Sequence, residues 1–93
     1  MQAMKPIRVP VSRREVKRVT MLRTVEALHG FGNEDAKPVT MAKGWVYGNV
    51  EGHFNGMSVY TYADGTLRLS LYTESAGFEW WEDVPADAVS FEG

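Results

Sequence analysis

Residues 57–73 have the sequence MSVYTYADGTLRLSLYT and predict a β-hairpin. Both halves contain many β-branched and aromatic residues and alternate apolar with polar side chains, as strands do. The dipeptide Asp64-Gly65 lies between them and favours a type I′ turn, which needs positive φ at both central positions. We therefore take this hairpin as the part of a sheet onto which the other strands are built.

A two-residue turn also predicts which side chains of the hairpin share a face. The expected cross-strand pairs are Tyr62 with Leu67, Tyr60 with Leu69, and Ser58 with Leu71. Because side chains alternate along a strand, a shift of one residue would move every side chain to the other face. We therefore expect an apolar face of two tyrosines and three leucines, with Arg68 on the opposite face.

Length and composition limit the class of protein. Ninety-three residues, 44% of them apolar, make one domain with a modest core. The chain has no cysteine, which excludes disulfides, thiolate metal sites and thiol nucleophiles. No apolar run is long enough to span a membrane, and the N-terminus lacks an apolar signal segment. We therefore expect a single cytoplasmic domain over residues 1–93, with no membrane contact.

Charge is divided unevenly along the chain. Residues 1–24 hold seven Lys and Arg against one Glu, a net charge of +6, whereas residues 25–93 hold three cations against eleven carboxylates, a net charge of −8. This division fits a basic segment packed beside an acidic sheet. It also fits a basic arm that contacts an anionic partner.

Residues 13–29 predict a helix. Ser12 and Glu15 fit a capping box at its start, and Gly30 fits the left-handed position that often ends a helix. The second half carries one apolar stripe, formed by Met21, Leu22, Val25 and Leu28. The first half departs from that stripe and is rich in β-branched residues, so a strand or turn before Thr20 is an alternative.

The remaining segments predict extended structure. Two prolines make residues 1–11 an extended arm or edge strand. Strands are expected at residues 39–50 and 78–81, and a turn or single 3₁₀ turn near Pro85 precedes a last strand at residues 88–91. The expected fold is α+β, with one N-terminal helix packed on an antiparallel meander of four or five strands. The alternative is a small SH3-like β-barrel with an N-terminal helical extension.

The chain offers few residues for catalysis or metal binding. Glu51 and His53 lie two residues apart, so on a strand they point to the same side. Their direction depends on the register between residues 39–50 and 57–63, which stays open. No serine lies in a nucleophile elbow. We expect a non-enzymatic protein with no catalytic residue, cofactor or metal, and an enzyme or ligand binder using His53 and Glu51 is a distant alternative.

Aromatic residues indicate a binding surface. On the strand at residues 78–81, Phe78 and Trp80 are expected to share one face and Trp81 to take the other. Trp80 and Trp81 therefore cannot both face one core, so one is expected to be exposed or covered by a partner. Protein interfaces are rich in Trp, Tyr, Met and Arg. Our hypothesis is a small interaction module of the adaptor, regulator or inhibitor type that binds a protein partner or forms a homodimer. The predicted contact residues are Trp80, Trp81 and Tyr72.

The alternative is a nucleic-acid-associated protein that contacts phosphates through the basic segment 5–23. One side of the predicted helix carries most of the candidate residues, which are Arg8, Arg13, Arg14, Lys17 and Arg18. The aromatic sheet is less suited, because residues 39–93 contain only Lys43 and Arg68 as cations. No motif that reads DNA sequence is present.

Overall fold

A computed structural model describes residues 9–48, 56–73 and 77–93, and these residues form nine β-strands and one 3₁₀ turn. The strands are β1 Ser12–Val16, β2 Arg18–Met21, β3 Val25–Phe31, β4 Lys37–Met41, β5 Val46–Gly48, β6 Met57–Thr61, β7 Thr66–Thr73, β8 Gly77–Pro85 and β9 Val89–Glu92. The described residues contain no α-helix. The predicted α+β class is therefore wrong, as is the alternative barrel with a helical extension.

The segment predicted as a helix forms β1, β2 and β3 instead. Its buried residues recur at a spacing of two, as in Val19 and Met21 of β2 and in Val25 and Ala27 of β3. This period of two belongs to strands, whereas the helical stripe required Leu22, which is exposed. Ser12 lies at the start of β1 rather than capping a helix, and Gly30 continues β3 rather than ending one.

The strands form two antiparallel sheets. The larger sheet has the order β1-β6-β7-β8-β3-β4, and the smaller sheet has the order β5-β2-β9. Among the described residues, the chain passes between them at Lys17, at residues 22–24, at residues 42–45 and at the 3₁₀ turn Ala86–Ala88. Backbone hydrogen bonds stabilise two of these connections. Lys17 N–H donates to the Glu92 carbonyl at 2.7 Å, and Trp45 N–H donates to the Ala42 carbonyl at 3.1 Å.

Both sheets contribute to one core, which makes the described chain a single small domain. The buried core residues are Val16, Val19, Met21, Val25, Ala27, Met41, Met57, Val59, Leu67, Leu69, Trp81, Val84, Ala88 and Val89. Burial of such side chains is the main driving force of folding, with about 1.5–3 kcal/mol for each large aliphatic residue. The second face of the larger sheet, which we call the outer face, is directed away from this core.

The other predicted strands are confirmed in part. Residues 39–50 do not form one strand, because β4 and β5 lie in different sheets and are separated by a turn in which Gly44 has φ of 90°. The prediction at the C-terminus is confirmed, since a 3₁₀ turn at Ala86–Ala88 precedes β9. Of the predicted arm, residues 9–11 are described, and Val11 N–H donates to the Thr61 carbonyl at 2.7 Å.

The hairpin of residues 57–73 is present, but its predicted register is wrong by one residue. Gly65 N–H donates to the Tyr62 carbonyl at 3.1 Å, and Tyr62 N–H donates to the Thr66 carbonyl at 2.9 Å, so the loop has three residues. Only Gly65 has positive φ, at 86°, which is the arrangement of a type I turn followed by a left-handed residue. The Asp64 carboxylate accepts a hydrogen bond from Thr66 N–H at 2.9 Å and stabilises this loop.

Because of this shift of one residue, each side chain of β6 lies on the face opposite to the one predicted. Leu69 lies opposite Val59, and Arg68 lies opposite Tyr60. The leucines therefore face the core together with Met57 and Val59, while the tyrosines lie on the outer face beside Arg68.

Strand β8 contains a bulge that places two of its residues in the core. Leu67 lies opposite Val84, but Leu69 lies opposite Trp81, so β8 has one residue more than β7 between these pairs. Asp83 accommodates the extra residue with φ of 60°, a conformation that Asp tolerates better than most residues. As a result Trp81 and Val84 are both buried, at 4% and 0% exposure.

Gly65→Ala is expected to lower the free energy of unfolding by about 1–2 kcal/mol, because a Cβ is disfavoured at positive φ. Gly65→Asn is the matched control and should lose less, since Asn occupies this conformation more readily. Urea denaturation followed by circular dichroism measures both. Equal losses for Ala and Asn would contradict the explanation.

Candidate functional site

The outer face of the larger sheet is rich in aromatic and hydroxyl side chains. Alternation along β6, β7 and β8 directs to this face Ser58, Tyr60, Arg68, Ser70, Tyr72, Phe78, Trp80 and Glu82. Because the core face already contains the leucines and Trp81, this second set of large rings is not needed to fill the core.

A groove with a volume of about 560 Å³ crosses this face, and we call it the outer groove. It extends from β6 across β7 and β8 to the turn between β3 and β4. Its lining comprises Pro10, Tyr60, Tyr62, Arg68, Ser70, Phe78, Trp80, Gly32 and Asn33. Aromatic walls with a few polar groups are typical of sites that bind ligands or partner side chains.

Trp80 forms part of the groove and is held by three contacts. Its indole lies flat against Gly30, where an added Cβ would be 2.3 Å from Cζ2 of the ring. Its Nε1–H donates to the Gly32 carbonyl at 3.0 Å. The guanidinium of Arg68 lies 5.0 Å from the ring centroid. Trp80 is therefore 8% exposed and contributes a rigid wall.

Arginine side chains on the outer face are also held in place. Arg68 Nη1 forms an ion pair with Glu82 at 3.0 Å. Arg13 Nε donates to the Tyr60 hydroxyl at 3.4 Å, and its guanidinium lies 5.7 Å from the centroid of that ring. These contacts restrict the side-chain rotamers of Arg68 and Tyr60, which line the groove, before any partner binds.

Tyr72 and Phe78 form an exposed aromatic pair next to the groove. They lie opposite each other on β7 and β8, with ring centroids 5.2 Å apart in an edge-to-face arrangement. Tyr72 is 48% exposed and Phe78 is 57% exposed. We call these two residues the exposed pair.

The three predicted contact residues lie in different environments. Trp80 and Trp81 are both buried, at 8% and 4% exposure, on opposite faces of the sheet. The expectation that one of them is exposed is therefore wrong, because Gly30 and Arg68 cover Trp80 within the chain. Tyr72 is exposed as part of the exposed pair, and its role in binding stays a prediction.

Sequence reasoning did not single out Phe78 as a contact residue. The prediction that Phe78 and Trp80 share one face, with Trp81 on the other, is confirmed. The spacing of two residues predicts correctly that Phe78 and Trp80 lie on the same face. It does not predict that neighbouring strands cover Trp80 and leave Phe78 exposed.

The described arginines of the nucleic-acid hypothesis do not form one surface, because they lie on strands rather than on one side of a helix. Arg13 and Arg14 point to opposite sides of β1, and the Arg14 guanidinium lies 5.0 Å from the Phe91 ring centroid. Arg18 pairs with Glu92, with Nε donating to Oε2 at 3.0 Å, and this contact lowers the pKa of Glu92. Lys17 lies between β1 and β2. Arg8 lies outside the described residues.

The distant alternative site also lies outside the described part of the chain. Glu51 and His53 both belong to the residues whose structure is not described. Within residues 9–48, 56–73 and 77–93, no group of three or more His, Asp or Glu is placed to hold a metal ion.

Among the side chains of the described residues, the buried hydroxyl of Tyr47 has no hydrogen-bond partner. Burial, and to a smaller extent the negative charge of Glu79, raises the pKa of Tyr47 to about 12. The folded state therefore favours the neutral phenol more strongly than the unfolded chain, where the pKa is about 10.

Stability is expected to be unaffected by this group below pH ~10 and to fall by about 1–2 kcal/mol as the pH rises to ~12, a magnitude reduced for partial exposure of the ring. Tyr47→Phe should stabilise the protein by about 1 kcal/mol and remove this loss, because it deletes an unpaired buried hydroxyl. Urea denaturation at several alkaline pH values tests both effects. The exposed Tyr72→Phe is the control, and the same alkaline gain in this variant would contradict the assignment.

Comparison with protein-family models, with curated proteins and with solved structures finds no match to this chain. No helix long and apolar enough to cross a membrane occurs among the described residues. The function is therefore argued from the geometry of the chain.

Proposed function

We propose that this protein is a small non-enzymatic module that binds a protein partner through the outer groove and the exposed pair. The observation that carries the proposal is the position of Tyr72 and Phe78, two largely exposed rings in contact beside an aromatic groove. Exposed apolar patches of this kind mark interaction sites on small proteins. Trp, Tyr, Phe and Arg are also the residue types enriched at interface centres.

Rigidity of the groove supports the same function. Trp80 is held by Gly32, and Arg68 is held by Glu82. Because these side chains are already ordered, their immobilisation on partner binding costs less conformational entropy than that of mobile side chains would. We expect the exposed pair to supply apolar contact area and the groove to supply shape complementarity to the partner.

A nucleic-acid partner has less support. The two described arginines on the outer face already have carboxylate partners, since Arg13 pairs with Glu15 and Arg68 pairs with Glu82. A phosphate would have to displace these carboxylates and approach a chain of net charge −2. We also propose a cytoplasmic location, for which the absence of cysteine is the only support.

The combined substitutions Phe78→Ser and Tyr72→Ser are expected to weaken partner binding at least tenfold, which corresponds to about 1.4 kcal/mol or more. Affinity purification from the source cells, followed by titration with the identified partner, measures the effect. Val46→Ser is the matched control, because Val46 is 52% exposed but lies on the smaller sheet.

Gel filtration of the purified protein separates two forms of this proposal. A dimer that becomes monomeric in the double variant identifies the partner as a second copy of the chain. Equal loss of partner binding in the Val46→Ser control, or unchanged binding in the double variant, would contradict the proposal.

A further inference from the structure

Strand β1 lies at one edge of the larger sheet, and within the described residues it pairs only with β6. The hairpin shows which backbone groups this pairing uses. Tyr62 N–H donates to the Thr66 carbonyl, so the backbone groups of Tyr62 point toward the β7 side. Because these groups alternate in direction along a strand, those of every second residue from Thr61 to Met57 point toward β1. Their partners in β1 are Ser12, Arg14 and Val16.

The backbone groups of Arg13 and Glu15 therefore point away from β6, toward the free edge. The position of Gly56 agrees with this direction. A Cβ built on Gly56 would lie 2.7 Å from the Val16 carbonyl oxygen, which places that carbonyl on the β6 side. The edge of β1 thus carries two N–H donors and two carbonyl acceptors that no other described strand pairs with. Such an edge is a template for a further strand.

The opposite edge of the larger sheet is blocked by a proline. Gly32 N–H donates to the Phe78 carbonyl at 2.8 Å, so alternation directs the backbone groups of Leu28 toward β8 as well. Pro38 lies opposite Leu28, and its nitrogen therefore faces the free edge of β4. Because proline has no N–H, another strand cannot pair regularly there. Of the two edges of this sheet, β1 is the one that can accept a strand.

The side chains of β1 are complementary to a second copy of the same strand. Arg13 and Glu15 lie two residues apart on the outer face, with side-chain exposures of 53% and 70%, and they form an ion pair at 3.0 Å. In an antiparallel pair with a two-fold axis at Arg14, Arg13 of each copy lies opposite Glu15 of the other copy. Opposite charges in such cross-strand positions stabilise a sheet.

We propose that this protein forms a homodimer in which two β1 strands pair antiparallel about a two-fold axis at Arg14. Arg13 and Glu15 of each copy supply four backbone hydrogen bonds between the copies, and their side chains form two ion pairs. The two larger sheets become one continuous sheet, with both outer faces on the same side. This dimer does not use the exposed pair, so it is independent of the proposed partner binding.

Arg14 limits the strength of this dimer. It lies opposite its own copy on the other face of the sheet, and like charges in facing positions are destabilising. Its guanidinium lies 5.0 Å from the Phe91 ring centroid, which holds it against its own chain. Exposed ion pairs also contribute little to association. We therefore expect a reversible dimer with Kd on the order of 100 µM.

Sedimentation equilibrium of the full chain, at loading concentrations from about 10 µM to about 1 mM, measures this Kd. Arg13→Glu and Glu15→Arg should each weaken self-association at least tenfold, because each substitution puts like charges opposite one another. An equimolar mixture of the two variants should associate again, as a heterodimer whose facing charges are opposite. Recovery in the mixture distinguishes a cross-strand contact from a loss of folding.

Two further positions test the backbone pairing and the axis. Glu15→Pro removes an N–H that points to the free edge and should abolish the dimer, whereas Glu15→Ala keeps this N–H and should weaken the dimer only several-fold. Arg14→Ser removes the facing like charges and should strengthen the dimer several-fold. The combined substitutions Phe78→Ser and Tyr72→Ser should leave it unchanged, which separates this result from the proposed function.

The proposal is overturned if the wild-type chain is still monomeric at about 1 mM. It is also overturned if the mixture of the two charge-reversed variants does not associate, or if folded Glu15→Pro dimerises like the wild type. Loss of the dimer in the Phe78 and Tyr72 double variant would place the contact on the exposed pair instead of on β1.

Discussion

Trp81→Ala is expected to lower the free energy of unfolding by about 3–5 kcal/mol, the loss typical of a large aromatic residue removed from a core. Trp81 is 4% exposed and contacts rings of both sheets, with centroid distances of 5.2 Å to His29 and 4.9 Å to Tyr47. Its removal would therefore leave a cavity where the sheets meet. A domain of 93 residues has a total stability of about 5–14 kcal/mol, so much of it would be lost.

Trp45→Ala is the matched control for this substitution. Trp45 is 52% exposed, and its replacement should cost about 1 kcal/mol or less. Urea denaturation followed by far-UV circular dichroism compares the two variants without relying on tryptophan fluorescence. Equal losses for the two tryptophans would contradict the placement of Trp81 at the centre of the core.

Gly30→Ala is expected to lower the free energy of unfolding by about 2–3 kcal/mol, a large effect for one methyl group. The new Cβ would lie 2.3 Å from Cζ2 of Trp80. The indole would have to leave β3, which breaks its hydrogen bond to the Gly32 carbonyl and its contact with Arg68. The same movement would remove one wall of the outer groove, so partner binding should weaken as well.

A double-mutant cycle with Trp80→Ala tests this explanation. Once the indole is absent, Gly30→Ala should be neutral or slightly stabilising, because Ala loses less backbone entropy than Gly in a strand. We expect a coupling free energy of about 2 kcal/mol between the two positions. Additive losses would show that the effect of Gly30→Ala does not come from contact with Trp80.

The sequence predicts the wrong fold class, but it predicts several local elements correctly where nearby residue types decide them. The hairpin around Gly65, the 3₁₀ turn before β9 and the shared face of Phe78 and Trp80 all follow from residue types within a few positions. The prediction of a helix over residues 13–29 is wrong because the apolar residues of a short segment can fit the helical period and the strand period at once. Pairing with distant strands, such as β1 with β6 and β2 with β9, then decides between them.

The candidate site was predictable only in part. Sequence indicated Trp80, Trp81 and Tyr72 as contact residues, and of these three only Tyr72 is exposed. The sequence predicts Trp80 as a contact residue because adjacent tryptophans on a strand point to opposite faces. Its burial depends on Gly30 of another strand, which lies next to it only after β3 and β8 have paired.

The sequence by itself determined that residues 57–73 form a hairpin with Gly65 in its turn, because only glycine adopts that backbone conformation without cost. Tertiary structure decided the register, through a three-residue loop and a bulge at Asp83. Each of these features shifts the chain by a single residue. Since side chains alternate between faces, that shift moved the tyrosines from the core to the outer groove and placed Trp81 between the sheets.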